Sequence, residues 1–473
     1  MSFITTAAAN TSGLIKFGPY ADWLAEEPVT LLFAENFYFV YAATLCSEMA
    51  SALGRTQEAV AYTALASSVS ALMVQSLFNA GIWDGGDGNM NAQAMALAIG
   101  LGGAATAPEL PLTVAAMVKD AVNREYHPSG GVSSIRWTLQ GFTAGNRTDI
   151  ALQMALVPTS PSWAYMSTPD MPGTIWEAWT GTATKSDGSK NHPMFTGGIG
   201  VWLYDSALGL RFRHHVMASQ TSSSNDNKKA HVTETLLSNQ SFLGFDPRVT
   251  CGLTDDETLV AMSISKEILS GDVKFSLESI LSRVKALGVL NSPSSQVSMI
   301  PVFSAIPDAA IVKALYSASG FRDAPQGRCT LDWQLSDDHS SFILKATVPS
   351  GVRGRLSIPL EFIHTNMQHI SLKRNDKIML TAKACFGSLS TVISCCESDP
   401  SRLILPGVVE GESIVLCEAK EHVILPRLAS WADLENQGRL FYGEGLPSSQ
   451  IRWGSGGLLV EVEYGEWIWE ATE

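Results

Sequence analysis

Residues 29–77 read VTLLFAENFYFVYAATLCSEMASALGRTQEAVAYTALASSVSALMVQSL, and the spacing within this stretch decides what kind of fold the chain adopts. Phe33, Phe37, Val40 with Tyr41, Leu45, Met49 and Leu53 recur at steps of three to five residues, which lays one apolar stripe along a helix. Gly54 follows where a helix commonly ends in a left-handed residue. A second apolar row starts at once with Val60 or Ala61 and continues through Leu65, Val69, Leu72 with Met73, and Leu77. Thr56 is its expected N-cap, and Glu58 sits in the first turn, where the helix dipole favours an anion. Two apolar faces joined by so short a turn predict a helical hairpin.

Working outward, the same period predicts helices at about 90–101, 108–124, 132–143, 147–157 and 194–210, separated by turn signals such as DGGDGN and PSGG. That makes about seven helices. Between 158 and 193 lie more than thirty residues without helical period, and connections of that length inside a compact domain are usually functional. The polar run SQTSSSNDNKK at 219–229 is the expected domain boundary. From about residue 330 the period falls to two: Leu331, Trp333, Leu335; then Phe342, Leu344, Ala346, Val348; then Leu356, Ile358, Leu360. With KIMLTA, SIVLCE, HVILPR and LLVEVEY further on, this half reads as a β-sandwich. The expected division is a helical domain over 1–215, a linker or insertion over 216–300 with one helical patch, SLESILSRVKALGVL, and a β-domain over 301–473.

Composition bounds the function. The 473 residues are 45% hydrophobic and carry a formal charge of -14, with no Lys/Arg run longer than two, so there is no electrostatic footprint for nucleic acid or an anionic membrane surface. Seven cysteines (Cys46, Cys251, Cys329, Cys385, Cys395, Cys396 and Cys417) show neither C-x-x-C pairs nor a disulfide framework. DGGDGN at 84–89 lacks a glutamate at the twelfth position, which is Met95, so neither a calcium loop nor another metal or cofactor site is assigned. The first residues, MSFITTAAANTSGLIKFG, have no basic segment followed by an apolar core, and AQAMALAIGLGGAATAPELP is closed by prolines, so neither a signal peptide nor a membrane span is expected. The compartment stays open.

One glutamate stands out. In TIWEAW at 174–179, Glu177 lies between Trp176 and Trp179, and fifteen residues on comes His192, near the start of NHPMFTGGIGVWLY at 191–204. A carboxylate among indoles is partly desolvated, which makes it a stronger base.

These segments, with GPYADWL at 18–24 and PSWAYM at 161–166, resemble in order the G-D-W-L, P-S-W-G-Y-M, T-I-W-E-x-W and N-H-x-x-x-G-x-x-x-x-W-L-Y segments of the bacterial and fungal α-L-rhamnosidases. The resemblance covers residues 13–213, and residues 327–360 resemble that family's C-terminal sandwich more loosely. It implies an all-α six-hairpin, (α/α)6-barrel-like domain, here incomplete, followed by a β-sandwich domain: an α+β multidomain chain. It implies inverting hydrolysis of a terminal α-L-rhamnoside. Glu177 then matches the general base that activates water, His192 a sugar-contacting histidine, and Trp23 an aromatic wall, with Asp22 the acidic partner of its turn and Trp83 and Trp176 further aromatic candidates.

An inverting enzyme needs a second carboxyl group, the general acid, about 6.5–9.5 Å from the base. The family carries it in D-C-P-x-R-E upstream of the G-D-W-L turn, and nothing in this sequence matches that segment; NREYHP at 123–128 holds only an Arg-Glu pair. The expectation is a fragment of reduced or absent activity, completed by a preceding segment or a second polypeptide. Two other readings stay open: a six-hairpin glycosidase of another specificity, and a carbohydrate-binding pseudoenzyme or one half of a two-chain assembly.

Overall fold

The computed structural model describes residues 13–167 apart from 17, 20, 87 and 88; 175–179; 192–217; 253–289 apart from 254; 298–359 apart from 306; 369–384 apart from 375 and 376; the strands between 403 and 472; and Thr5. The expected boundary at 219–229 and most of the 158–193 connection lie outside the described residues. The chain forms two compact units. The first holds the residues up to Trp202 and the helices between Asp255 and Ala286, and the second holds Leu203–His214 and the strands from Ile300 onward.

The first unit is helical. Helix α1 spans Leu31–Ala52 and α2 spans Thr56–Leu77, with Gly54 between them at φ 68°, so the expected hairpin is present. Thr30 caps α1 by accepting the Phe33 N–H. Thr56 is the first helical residue of α2 rather than its cap; Arg55 holds the cap position and contributes no side-chain capping bond. Next come a two-residue hairpin, β1 (Phe78–Asn79) with β2 (Ile82–Trp83), and then α3 (Met90–Ile99), α4 (Leu110–Asn123), α5 (Ile135–Ala144), α6 (Thr148–Leu156), the single turn α7 (Trp163–Met166) and α8 (Pro193–Trp202).

The segment around 230–300, for which the sequence gives only one helical patch, supplies two helices: α9 (Asp255–Ser270) and α10 (Leu277–Ala286), the latter capped by Ser276. Both pack on α2. Ala261, Ile264, Ile268, Ile280 and Val284 join Phe33, Phe37, Leu65 and Val69 in one continuous core. The Ser68 hydroxyl donates to Ala64 O and meets Ser265 Oγ, and Gln57 donates to Val289 O, so the polar groups on the buried faces of α2 are matched. This double covering explains the composition of α2. It is long and apolar enough to cross a membrane, yet more than half of its most apolar window is buried in protein.

The second unit opens with a π-helical turn, Leu203–Leu208, followed by strand β3 (Leu210–Met217), and continues with β4 (Ser298–Ala305), the short helix α11 (Ala309–Leu315), β5 (Ser317–Ala324), β6 (Gly327–Leu335), β7 (Ser341–Val348), β8 (Arg353–Pro359), β9 (His369–Arg374), β10 (Lys377–Ala384), β11 (Leu403–Leu405), β12 (Gly407–Val409), β13 (Ser413–Glu418), β14 (Glu421–Pro426), β15 (Ile451–Gly454), β16 (Gly457–Val462) and β17 (Gly465–Thr472). A seven-stranded sheet runs in the order β11-β10-β9-β17-β7-β6-β5, and a five-stranded one in the order β15-β16-β8-β4-β3. The period-two pattern of the sequence is the burial pattern of β6 and β7: Cys329, Leu331, Trp333 and Leu335, then Phe342, Leu344, Ala346 and Val348, all face inward. Trp467, Trp469 and Ala471 of β17 extend that face. At Gly354 of β8 a Cβ would lie 2.8 Å from Val348 Cγ2, so side chains of the two sheets meet where only glycine fits.

Candidate active site

Three backbone segments converge on one strap, Pro128–Ser134, which leads into α5. The first is the turn carrying Asp22 and Trp23. The Asp22 carboxylate accepts from Gly131 N (3.1 Å) and Ser134 Oγ (2.6 Å) on Oδ2, and from Ser133 N (2.9 Å) and Ser134 N (3.2 Å) on Oδ1. Ser134 occupies the N-cap position of α5 but makes no side-chain cap bond, so Asp22 satisfies amide groups that the helix start leaves open. Val132 N donates to Trp23 O, and a Cβ on Gly131 would lie 2.3 Å from that oxygen, which makes the glycine obligatory.

The second segment is α1, through Tyr38. Its hydroxyl donates to Ser133 O (2.6 Å) and accepts from Trp137 Nε1 (3.2 Å). Burial pushes the Tyr38 phenol above its ordinary value, opposed by the Trp137 hydrogen bond, which keeps it protonated as a donor to the strap.

The third is the loop that bears Glu177. Trp179 Nε1 donates to Gly130 O at 2.6 Å, and the Trp179 ring meets Trp163 edge to face at 5.2 Å and Phe195 at 4.8 Å between centroids. Trp163 Nε1 donates to Phe195 O, which fastens the first turn of α8 to the same cluster. His192 stands just before α8. Its N–H donates to Ile175 O, its carbonyl accepts from Thr196 N, and its ring packs on Phe195. His192 Nε2 lies 4.0 Å from Glu177 Oε1, with the two side chains 16% and 25% exposed. His192 Nδ1 is buried and has no hydrogen-bond partner among the described residues.

The structure thus brings Glu177 and His192 together beside a buried aromatic floor on which the His192 ring packs, and ties the Trp23 turn to that floor through the strap. Trp23 is 47% exposed, so its ring has a face open to a ligand. The other candidates part from these. Asp22 is 5% exposed and turned into the strap. Trp83 is 2% exposed and packed between Phe33 and Phe78 in the core, with its backbone held on both sides by the Gln93 amide, so it offers no wall to a pocket. Trp176 is buried edge-on to Tyr165. The supporting residues Tyr38, Phe195 and Gly130 are not singled out by sequence, and Trp179 is marked there only as an indole neighbour of Glu177 in TIWEAW. Among the described residues no group of three or more His, Cys, Asp or Glu gathers as a metal site.

Chemically, a mostly buried carboxylate beside an imidazole can take a proton from water while the imidazole binds a hydroxyl. Indole faces suit the apolar side of a sugar ring.

Residues 3–207 match the family model described as the bacterial alpha-L-rhamnosidase 6 hairpin glycosidase domain. Among solved structures, the chain is similar to α-L-rhamnosidase from Dictyoglumus thermophilum, with a TM-score of 0.56 and 14% identity over 100% of this chain and 35% of that one. It is similar also to the Streptomyces avermitilis α-L-rhamnosidase solved with L-rhamnose, with a TM-score of 0.54 and 14% identity over 97% of this chain and 28% of that one. The chain therefore spans about a third of the length of these enzymes. No curated protein sequence matches it. The family match runs from before the Asp22 turn to past the end of α8, so over residues 3–207 the chain is similar to the six-hairpin glycosidase domain of the bacterial α-L-rhamnosidases.

Proposed function

We propose that this chain carries the base side of an inverting α-L-rhamnosidase site: Glu177 activates the attacking water, His192 holds a ring hydroxyl, and the exposed Trp23 ring packs on the methyl-bearing face of rhamnose. The observation that carries this reading is the 4.0 Å approach of Glu177 to His192 beside the Trp163, Trp179 and Phe195 floor. On this reading the helical unit is part of an (α/α)6 barrel and the second unit a β-sandwich. The general acid comes from a further segment or a second polypeptide. Such an acid contributes typically ~10²–10⁴-fold, so the chain alone binds rhamnose and hydrolyses its glycosides slowly or not at all.

The test is calorimetric titration of the chain with L-rhamnose and other monosaccharides, paired with release of rhamnose from an aryl α-L-rhamnoside. Saturable binding that prefers L-rhamnose, with residual hydrolysis abolished in Glu177→Gln, supports the proposal. Tighter binding of another monosaccharide removes the rhamnose assignment. Binding without any turnover, unchanged in Glu177→Gln, favours the pseudoenzyme reading, for which the unmatched D-C-P-x-R-E segment is the motivating observation.

A further inference from the structure

We infer that Asp22 is a positioning residue that sets the place of the Glu177 loop through the strap and Trp179, and that it does not touch the sugar. The inference rests on the proposed site for its functional consequence.

The first ground is capacity. A carboxylate offers about four lone-pair positions, two on each oxygen. In Asp22 each oxygen already accepts two hydrogen bonds, from Gly131 N and Ser134 Oγ on one and from Ser133 N and Ser134 N on the other. The side chain is also buried. Nothing remains with which to grip a sugar hydroxyl.

The second ground is connectivity. The strap that Asp22 holds has its next polar group, Gly130 O, bound to Trp179 Nε1 at 2.6 Å. Trp179 lies two residues from Glu177, and its ring is locked between Trp163 and Phe195, which in turn carries His192. On the other side Val132 N fixes Trp23 O, next to Asp22 itself. One carboxylate therefore sets the register between the turn bearing Trp23 and the loop bearing Glu177. The strap has no slack to absorb a change. A Cβ on Gly130 would lie 2.4 Å from Ser134 Oγ, and one on Gly131 would lie 2.8 Å from Asp22 Oδ1.

The test uses the full chain and two variants. Asp22→Asn keeps the shape but replaces one acceptor by a donor facing N–H or O–H groups. Ser134→Ala removes one of the four bonds and disturbs the fold least. The first readout needs no sugar: the indole N–H resonance of Trp179, assigned by its loss in Trp179→Phe. Asp22→Asn should shift that resonance and speed its solvent exchange about tenfold, and Ser134→Ala should move it less in the same direction. The second readout is L-rhamnose affinity, where a displaced site should cost ~10-fold or more in Asp22→Asn, and the Asp22→Asn/Trp179→Phe double variant should lose no more than the worse single one. An unmoved Trp179 resonance in folded Asp22→Asn, or in Ser134→Ala where Asp22→Asn does not fold, overturns the inference. Additive losses of affinity overturn it as well. A wild-type chain that does not bind rhamnose, while the Trp179 resonance still moves, leaves the relay in place and removes the sugar reading instead.

Discussion

At the scale of single residues, the tryptophans carry the lesson. Trp23 and Trp83 are the same residue type with opposite environments, one half exposed on a turn and the other walled in by Phe33, Phe78 and Gln93. On the proposed reading, Trp23→Ala should weaken rhamnose binding and leave the melting temperature nearly unchanged. Trp83→Ala should cost ~3–5 kcal/mol of stability, the usual range for an aromatic truncated in a core, and leave affinity per folded molecule intact. Chemical denaturation and calorimetry on both variants check the pair. The proximity of Glu177 and His192 is foreshadowed in the sequence, where both sit in segments whose order and residue types are distinctive. The roles of Asp22, Trp83 and Trp179 are not, because each depends on a partner brought in by the fold: Ser134 for Asp22, Phe33 for Trp83, Gly130 for Trp179.

At the scale of elements, periodicity serves well where one face meets protein and the other meets water. That is the case for β6 and β7, whose alternation is visible in the sequence and in the burial. Cys329 on β6 shows what the inward face implies. Burial pushes its thiol up to about 11. Because the folded value exceeds the unfolded one, this thiol favours the native state fully below the unfolded range and loses that contribution as pH rises through the folded value. Iodoacetamide mapping at pH 8 should leave Cys329 unmodified until urea unfolds the chain, and alkaline pH above about 9 should lower the urea midpoint of wild type more than that of Cys329→Ala. Periodicity serves less well for α2, whose alanines and serines face helices on more than one side and blur any single stripe. It also says little about α9, where Leu259, Met262 and Leu269 stay exposed while Ala261, Ile264 and Ile268 are buried, so apolar residues fall on both faces.

At the scale of the whole molecule, the first unit is discontinuous in sequence: α9 and α10 return to a core begun by α1 and α2. Ile264→Ala should therefore cost ~2–5 kcal/mol, as for other fully buried aliphatic truncations, and lower the urea midpoint even though the residue is far in sequence from the segments that carry the site. A neutral effect would show that the returning helices are an accessory layer. The sequence displays the helical half and the strand-rich half plainly. It cannot display the return, because the reason for it is the second apolar face of α2, and a helix sequence does not say how many neighbours it has.

The bond from Gln57 to Val289 O also joins positions that leave the ribosome at very different times. During synthesis the α1–α2 hairpin emerges with one greasy side bare, and it must wait while the residues that begin the second unit are made before its cover arrives. A nascent chain stalled in that interval is the species most exposed to chaperones and to aggregation.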